Sequence, residues 1–294
     1  MQEHATLLGP MRSLVGVITE PPDDLLLPGK VAVLLLNTGL IHHVGPHRLY
    51  VQSARALAMS GIVSVRFDLS GIGDSMVRRD NLPIRQLVSR EPQEVMDDLA
   101  RQWGLERFIL LGICSGAHGA FKTACTDPRV LGAIMINPLD FAGDSYLAPY
   151  ILARHYWTRS LFRWQAWSNL FTGRVAYRRL TRVLWHQLTR GIFGHNRQAT
   201  SIARGIHADI QGLLDRHVAL LFILSEDDVS VDHLRVVLGK DLQATTAADV
   251  LQVAMIPAAD HLFHRLADQQ RVLQVITHWT VQQVQKAGLE AVQS

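Results

Sequence analysis

The chain has 294 residues, 48% of them hydrophobic and 19% charged, with a net charge of only +3. That is enough for one large α/β domain with an insertion, without a second domain. Cys114 and Cys125 stand eleven apart across one helix-like segment, which argues against a structural disulfide and fits a reducing, cytoplasmic location; the start lacks a secretory signal pattern, and no apolar run approaches the roughly 20 residues of a membrane span.

In chain order, residues Met11 to Thr19 alternate enough for an edge strand, and Pro21-Pro22-Asp23-Asp24 is a turn. Val31 to Leu36 is a continuous apolar run, the mark of a strand buried on both faces, and it ends in Asn37-Thr38-Gly39-Leu40. Pro46 to Ser60 predicts a helix with Leu49, Ala54, Leu57 and Ala58 on its inner side. Ile62 to Phe67 is the next buried strand, running into Asp68-Leu69-Ser70-Gly71-Ile72-Gly73-Asp74-Ser75. Glu91 to Trp103 reads as a helix, Phe108 to Ile113 as a strand, Ser115 to Thr126 as a helix and Val130 to Ile136 as a strand. After Asn137-Pro138 the rhythm stops, and it resumes with a strand from Ala219 to Leu224, a helix from Val231 to Leu238, a strand from Leu251 to Ile256 and a closing helix from Leu262 to Lys286. Such alternation predicts an α/β fold with a mostly parallel sheet covered on both faces, and a site at the carboxyl ends of its strands.

The interruption, residues 139–208, has a composition of its own. From Tyr146 to Ala208 there are ten Arg and no Asp or Glu, leaving a net −7 elsewhere. Four of the six Trp lie in the interruption, and Trp157, Leu161, Trp164, Trp167 and Phe171 share a helical face. Arg174, Arg178, Arg179 and Arg182 are the densest cationic cluster and a candidate anion site.

The strand over 108–113 leads into Gly112-Ile113-Cys114-Ser115-Gly116 and then a helix. Small residues flank the apex because its backbone is strained and the helix packs close to the strand. With this motif the chain resembles the α/β-hydrolase superfamily in its cysteine form, shared by dienelactone hydrolases and polyhydroxyalkanoate synthases. The resemblance runs from about Leu14 to Trp279. The combination of Asn37 to Pro46 with Phe67 to Ser75 is similar to a subgroup often associated with biosynthetic operons, the exosortase-associated hydrolases. It implies an α/β-hydrolase core over 1–138 and 209–294 and a helical cap over 139–208.

The superfamily order of nucleophile, acid and histidine falls on Cys114, Asp228 and His261. Several alternatives compete. Cys114 could be a structural thiol, and Ser115 could be the nucleophile despite the wrong glycine spacing. Asp227 competes with Asp228, and His264, three residues into the expected closing helix, competes with His261. By family position the oxyanion donors are the backbone N–H groups of Leu40 and Ser115. Asn37, Thr38, His42 and His43 add polar groups on what is expected to be a solvated loop. With no acid near the paired histidines in sequence, no metal is expected. Asp68, Gly71, Gly73 and Ser75 are expected to be structural, with Asp68 tying down nearby N–H groups.

A thiolate attacks a thioester almost thermoneutrally, so cysteine points to ester or thioester substrates and to hydrolysis or acyl transfer through an acyl-cysteine, without a cofactor. The basic cap implies an anionic carrier, an acyl carrier protein or coenzyme A, with a membrane surface less favoured and nucleic acid not expected. Elimination or cyclisation by the same residues, and a non-catalytic binding role on the same fold, are the competing functions.

Overall fold

The computed structural model describes residues 1–80, 82–138, 192–239, 242 and 250–293. Its strands are β1 (Gln2–Leu8), β2 (Leu14–Glu20), β3 (Val31–Leu36), β4 (Val63–Phe67), β5 (Arg107–Ile113), β6 (Val130–Ile136), β7 (Ala219–Ser225) and β8 (Leu251–Ile256). They form one sheet in the order β1-β2-β4-β3-β5-β6-β7-β8. β2 pairs antiparallel with both β1 and β4, and every other pairing is parallel.

The longer helices among the described residues are α1 (Leu49–Met59), α2 (Ile84–Trp103), α3 (Ser115–Thr126), α4 (Ile192–Asp215), α5 (Val229–Leu238) and α6 (Leu266–Gln293). They cover both faces, and the continuous apolar strands divide residue by residue between two layers. Leu34, Leu36 and Leu110 pack with Val95, Met96 and Leu99 of α2 and Phe121 of α3. Val33, Leu35, Ile109 and Leu111 pack with Leu49 and Leu57 of α1 and Ile276 and Trp279 of α6. Successive strand side chains point to opposite faces, so a strand covered on both sides must be apolar throughout. Each fully buried Leu or Ile contributes about 1.5–3 kcal/mol relative to exposure.

Four differences from the sequence expectation bear on the architecture. The strand expected over 11–19 runs from 14 to 20 and is not the edge, because β1 pairs outside it. β1 is mostly exposed and polar, so it carries no burial pattern to read. α2 begins at Ile84 rather than Glu91 and contains Pro92. Pro92 has no N–H for the Val88 carbonyl. That carbonyl lies beside Gly119 of α3, where a Cβ would stand 3.1 Å from it. The closing helix starts at Leu266, not Leu262, because Asp260 accepts the N–H groups of Leu262 and His264 and holds 260–264 as a turn.

The fourth concerns the cap. The expected boundary at 208/209 falls inside α4, whose residues Ile206, Ile210 and Leu213 are buried in the core. The core therefore resumes before residue 209; the charge pattern masked an apolar stripe of helical spacing. The tryptophan stripe and Arg174, Arg178, Arg179 and Arg182 lie outside the described residues. Among the described residues no helix is long and apolar enough to cross a membrane.

Candidate active site

The turn between β5 and α3 is built by close approach. A Cβ on Gly112 would stand 2.1 Å from the backbone of Gly116, and one on Gly116 would stand 2.6 Å from the carbonyl oxygens of Leu36 and Asn37. Glycine at both positions lets α3 start directly over the ends of β3 and β5. Between them Cys114 has φ 58° and ψ −115°. A non-glycine residue in such a conformation costs about 1–3 kcal/mol and persists only where its surroundings hold it. Here the Cys114 N–H is bonded to the Ile136 carbonyl at 2.9 Å, at the end of β6. The side chain is lifted onto the carboxyl edge of the sheet and is half-buried.

Two further strand ends supply its neighbours. Asp228 follows β7 and caps α5, its Oδ1 accepting the Ser230 N–H at 2.8 Å. Its Oδ2 lies 2.8 Å from Nδ1 of His261, which follows β8. The other ring nitrogen, Nε2, is buried and has no hydrogen-bond partner among the described residues. Cys114 lies close enough to the ring to favour its charged form. Burial works against charge on His261. The bond to Asp228 and the interaction with Cys114 outweigh it, and the pKa rises to about 10. Asp228 is pushed up by burial and down more strongly by His261 and Ser230, so it stays below the usual carboxylate range.

The competing residues have other employment. Asp227 and Glu226 are exposed, and it is Asp228 that holds His261. His264 pairs with Asp260 and is exposed. It precedes α6 rather than lying within it. Burial pushes the Cys125 thiol up to about 11, with Asp209 adding to the rise, so it stays protonated at neutral pH.

The loop after β3 sits over the elbow. Thr38 to Ile41 form a turn closed by the Ile41 N–H on the Thr38 carbonyl at 3.0 Å. Gly39 has φ 57° there, a conformation that favours glycine although a Cβ would meet nothing within 4 Å. The N–H that reaches the elbow is that of Gly39, which donates to Ser115 Oγ at 2.7 Å. Leu40, the donor expected from sequence, is the next residue, and it is 83% exposed.

The polar residues of this loop turn inward rather than forming a solvated loop. Asn37, Thr38 and His43 are buried. Asp68 is fully buried and accepts from Asn37 Nδ2 at 2.9 Å and the His43 N–H at 2.6 Å, with His43 Nδ1 2.7 Å away. Burial raises its pKa, but the bonds from His43 and Asn37 win and hold it low. His42 Nε2 lies 3.0 Å from Asp74 and 3.4 Å from Asp68. The fold thus brings to the histidine pair the acids that sequence spacing did not show. One ligand atom each of His42, His43 and Asp68 lies within 4.8 Å of the others. Since the Asp68 oxygens already accept several protein donors, the cluster acts as a knot tying the loop after β3 to the loop after β4.

Two residues not singled out in the sequence support the site. Tyr50 of α1 is wholly buried; its hydroxyl donates to the Leu36 carbonyl at 2.8 Å, accepts the Ile113 N–H at 3.0 Å and lies 3.0 Å from Thr38 Oγ1. It joins the end of β3 to the residue before Cys114. Asn137, also fully buried, donates to the His261 carbonyl at 2.8 Å and to Ser225 Oγ at 2.9 Å, and accepts the Ser225 N–H at 2.7 Å. The only local signal for Asn137 was a polar residue directly after a buried strand. Tyr50 carried none, since it reads as one more apolar position of α1.

A separate cavity of about 440 Å³ lies at the other end of the sheet, by Arg107, Val130, Ala219 and Lys286. It is not part of this site.

A sheet of this order, with an elbow residue after β5, an acid after β7 and a histidine after β8, defines an α/β hydrolase. The family described as serine aminopeptidase, S33, matches residues 29–265, and the chain belongs to that family. Among solved structures the fold is similar to proline iminopeptidase of Mycobacterium smegmatis (14% identity, 99% of this chain and 100% of that one, TM-score 0.57). It is also similar to an alpha-beta serine hydrolase homologue of Coxiella burnetii (15%, 94% and 96%, 0.55). A dienelactone hydrolase of Anabaena variabilis is a third such structure (15%, 95% and 96%, 0.53). No curated protein matches the chain in sequence.

Proposed function

We propose that this hydrolase works through an acyl-Cys114 intermediate, with His261 as its acid–base partner and Asp228 orienting the ring. The observation that carries the reading is a cysteine at the strained elbow position beside a histidine whose pKa is raised to about 10 by Asp228 and Cys114. An imidazole that already holds its proton at neutral pH is a poor base for a serine hydroxyl. It is a good partner for a thiolate, and it is ready to protonate a leaving group.

In the acylation step the thiolate attacks the acyl carbon and the carbonyl electron pair moves onto oxygen. Donors at the elbow stabilise that oxyanion. These are the Ser115 N–H, at the start of α3, and the loop after β3, where the Leu40 N–H expected from sequence follows a Gly39 N–H that donates to Ser115 Oγ. Collapse of the oxyanion breaks the bond to the leaving group, which takes the proton from His261. Water or another acceptor then resolves the acyl-cysteine.

Thioesters are the favoured substrates, because thiol exchange is nearly thermoneutral. The ten arginines over 146–208, with no acid among them, favour an acyl group on an anionic carrier such as coenzyme A or an acyl carrier protein. The test is intact-protein mass after incubation with acyl-coenzyme A and acyl-N-acetylcysteamine thioesters. An adduct on the wild type and on Ser115→Ala, absent from Cys114→Ala, is the expected result. An adduct that disappears only in Ser115→Ala overturns the assignment of the nucleophile.

A further inference from the structure

We propose that the Ser115 side-chain hydroxyl is itself a catalytic group, donating directly to the oxyanion while the Gly39 N–H polarises it from behind. This rests on the acyl-Cys114 reading. Ser115 Oγ accepts the Gly39 N–H at 2.7 Å. A serine hydroxyl that accepts still has its own proton to donate. Among the described residues no group accepts it, and Ser115 is exposed at the elbow. The donor that the loop after β3 aims at the elbow therefore ends on a hydroxyl, not on open space.

Ser115, the residue directly after Cys114, thus carries two donors. The Ser115 N–H belongs to the first turn of α3 and has no acceptor within the helix. The Ser115 O–H stands where the Gly39 N–H points. A hydroxyl that accepts one hydrogen bond donates a stronger one, and a bond to an oxyanion is charge-assisted and short. No proton changes hands: O–H donates while the tetrahedral oxygen carries its charge, and the bond weakens again as the carbonyl re-forms. The alternative is that the hydroxyl plugs the oxyanion position and must swing away before substrate binds. The two differ in sign. Removing a donor slows acylation, whereas removing a plug speeds it.

The experiment follows acylation of the full chain by p-nitrophenyl butyrate and S-butyryl-N-acetylcysteamine, with release and intact mass read together, for wild type, Ser115→Ala and Ser115→Thr. Loss of one oxyanion donor lowers kcat on the order of 10²-fold. Ser115→Ala is expected to lose that much in kcat with KM little changed, while still forming the Cys114 adduct slowly. Ser115→Thr keeps the hydroxyl and is expected to stay within about tenfold of wild type. Ser115→Ala acylating as fast as wild type, or faster, overturns the role of the hydroxyl and leaves the acyl-Cys114 reading standing. Wild type giving neither adduct nor product overturns that reading and this inference with it.

Discussion

Asn137 holds His261 from behind: its Nδ2 donates to the His261 carbonyl at 2.8 Å while its Oδ1 accepts the Ser225 N–H at 2.7 Å. One buried amide thus ties together the ends of β6, β7 and the loop after β8. Each buried group left without its partner costs about 1–3 kcal/mol. Asn137→Ala should shift the urea midpoint down by that order and lower kcat more than it raises KM, because the histidine loses its rest position. Unchanged kcat in a destabilised variant would limit Asn137 to stability.

Tyr50→Phe removes one oxygen that serves Leu36, Thr38 and Ile113. The ring still fills its space, so the loss is that of hydrogen bonds alone. The Ile113 N–H and the Leu36 carbonyl become unsatisfied in the core, and stability should fall by about 1–3 kcal/mol. The elbow and the loop after β3 also lose their common anchor. A fall in kcat that exceeds any change in KM is the expected kinetic signature.

Cys114→Ser should be far slower than its conservative appearance suggests. A hydroxyl stays protonated at neutral pH and is a weak nucleophile until a base takes its proton, whereas a thiol ionises readily, and the substitution also removes the Cys114 interaction that helps to hold the proton on His261. General-base catalysis contributes about 10²–10⁴-fold. A loss in that range, with a folded protein by circular dichroism, fits a thiolate partner; near-wild-type turnover contradicts it.

The histidine also sets a pH window for stability. In the unfolded chain an imidazole titrates near 6.5, and in the fold His261 titrates near 10. The folded state binds the proton more tightly, so the stabilisation is whole below about pH 6.5 and is lost as pH rises to about 10. Asp228 is held below its ordinary value, so its contribution is lost at the acid end, as pH falls through its folded pKa. The stability difference between wild type and His261→Ala, from urea titrations, should shrink from pH 6.5 to 10. A difference that grew over that interval would contradict the assignment. Acylation should show an alkaline limb near the same value, where the leaving group loses its proton donor.

Much of the site was legible because it is local. Gly112 and Gly116 flank Cys114 within five residues, and their close contacts lie inside that turn or against the neighbouring strand end. Asp228 and His261 each follow an apolar strand, so chain order alone pointed to them. What stayed hidden were relations across the sheet. Tyr50 meets Ile113 over 63 residues and Asn137 meets Ser225 over 88. Neither pair leaves a pattern in its own segment. The acid-free stretch before residue 209 likewise concealed the buried stripe of α4, since charge composition and apolar spacing are separate signals.

Sequence by itself therefore determined the alternation of strand and helix, the parallel sheet and the elbow with Cys114 at its apex, because periodicity and glycine spacing act over a few residues. Tertiary structure paired Asp228 with His261, gathered His42, His43 and Asp68 into one partly buried knot, and aimed the Gly39 N–H at Ser115 Oγ. Those choices depend on the direction of single bonds at strand ends. Only the assembled sheet, which sets the strand ends side by side, defines those directions.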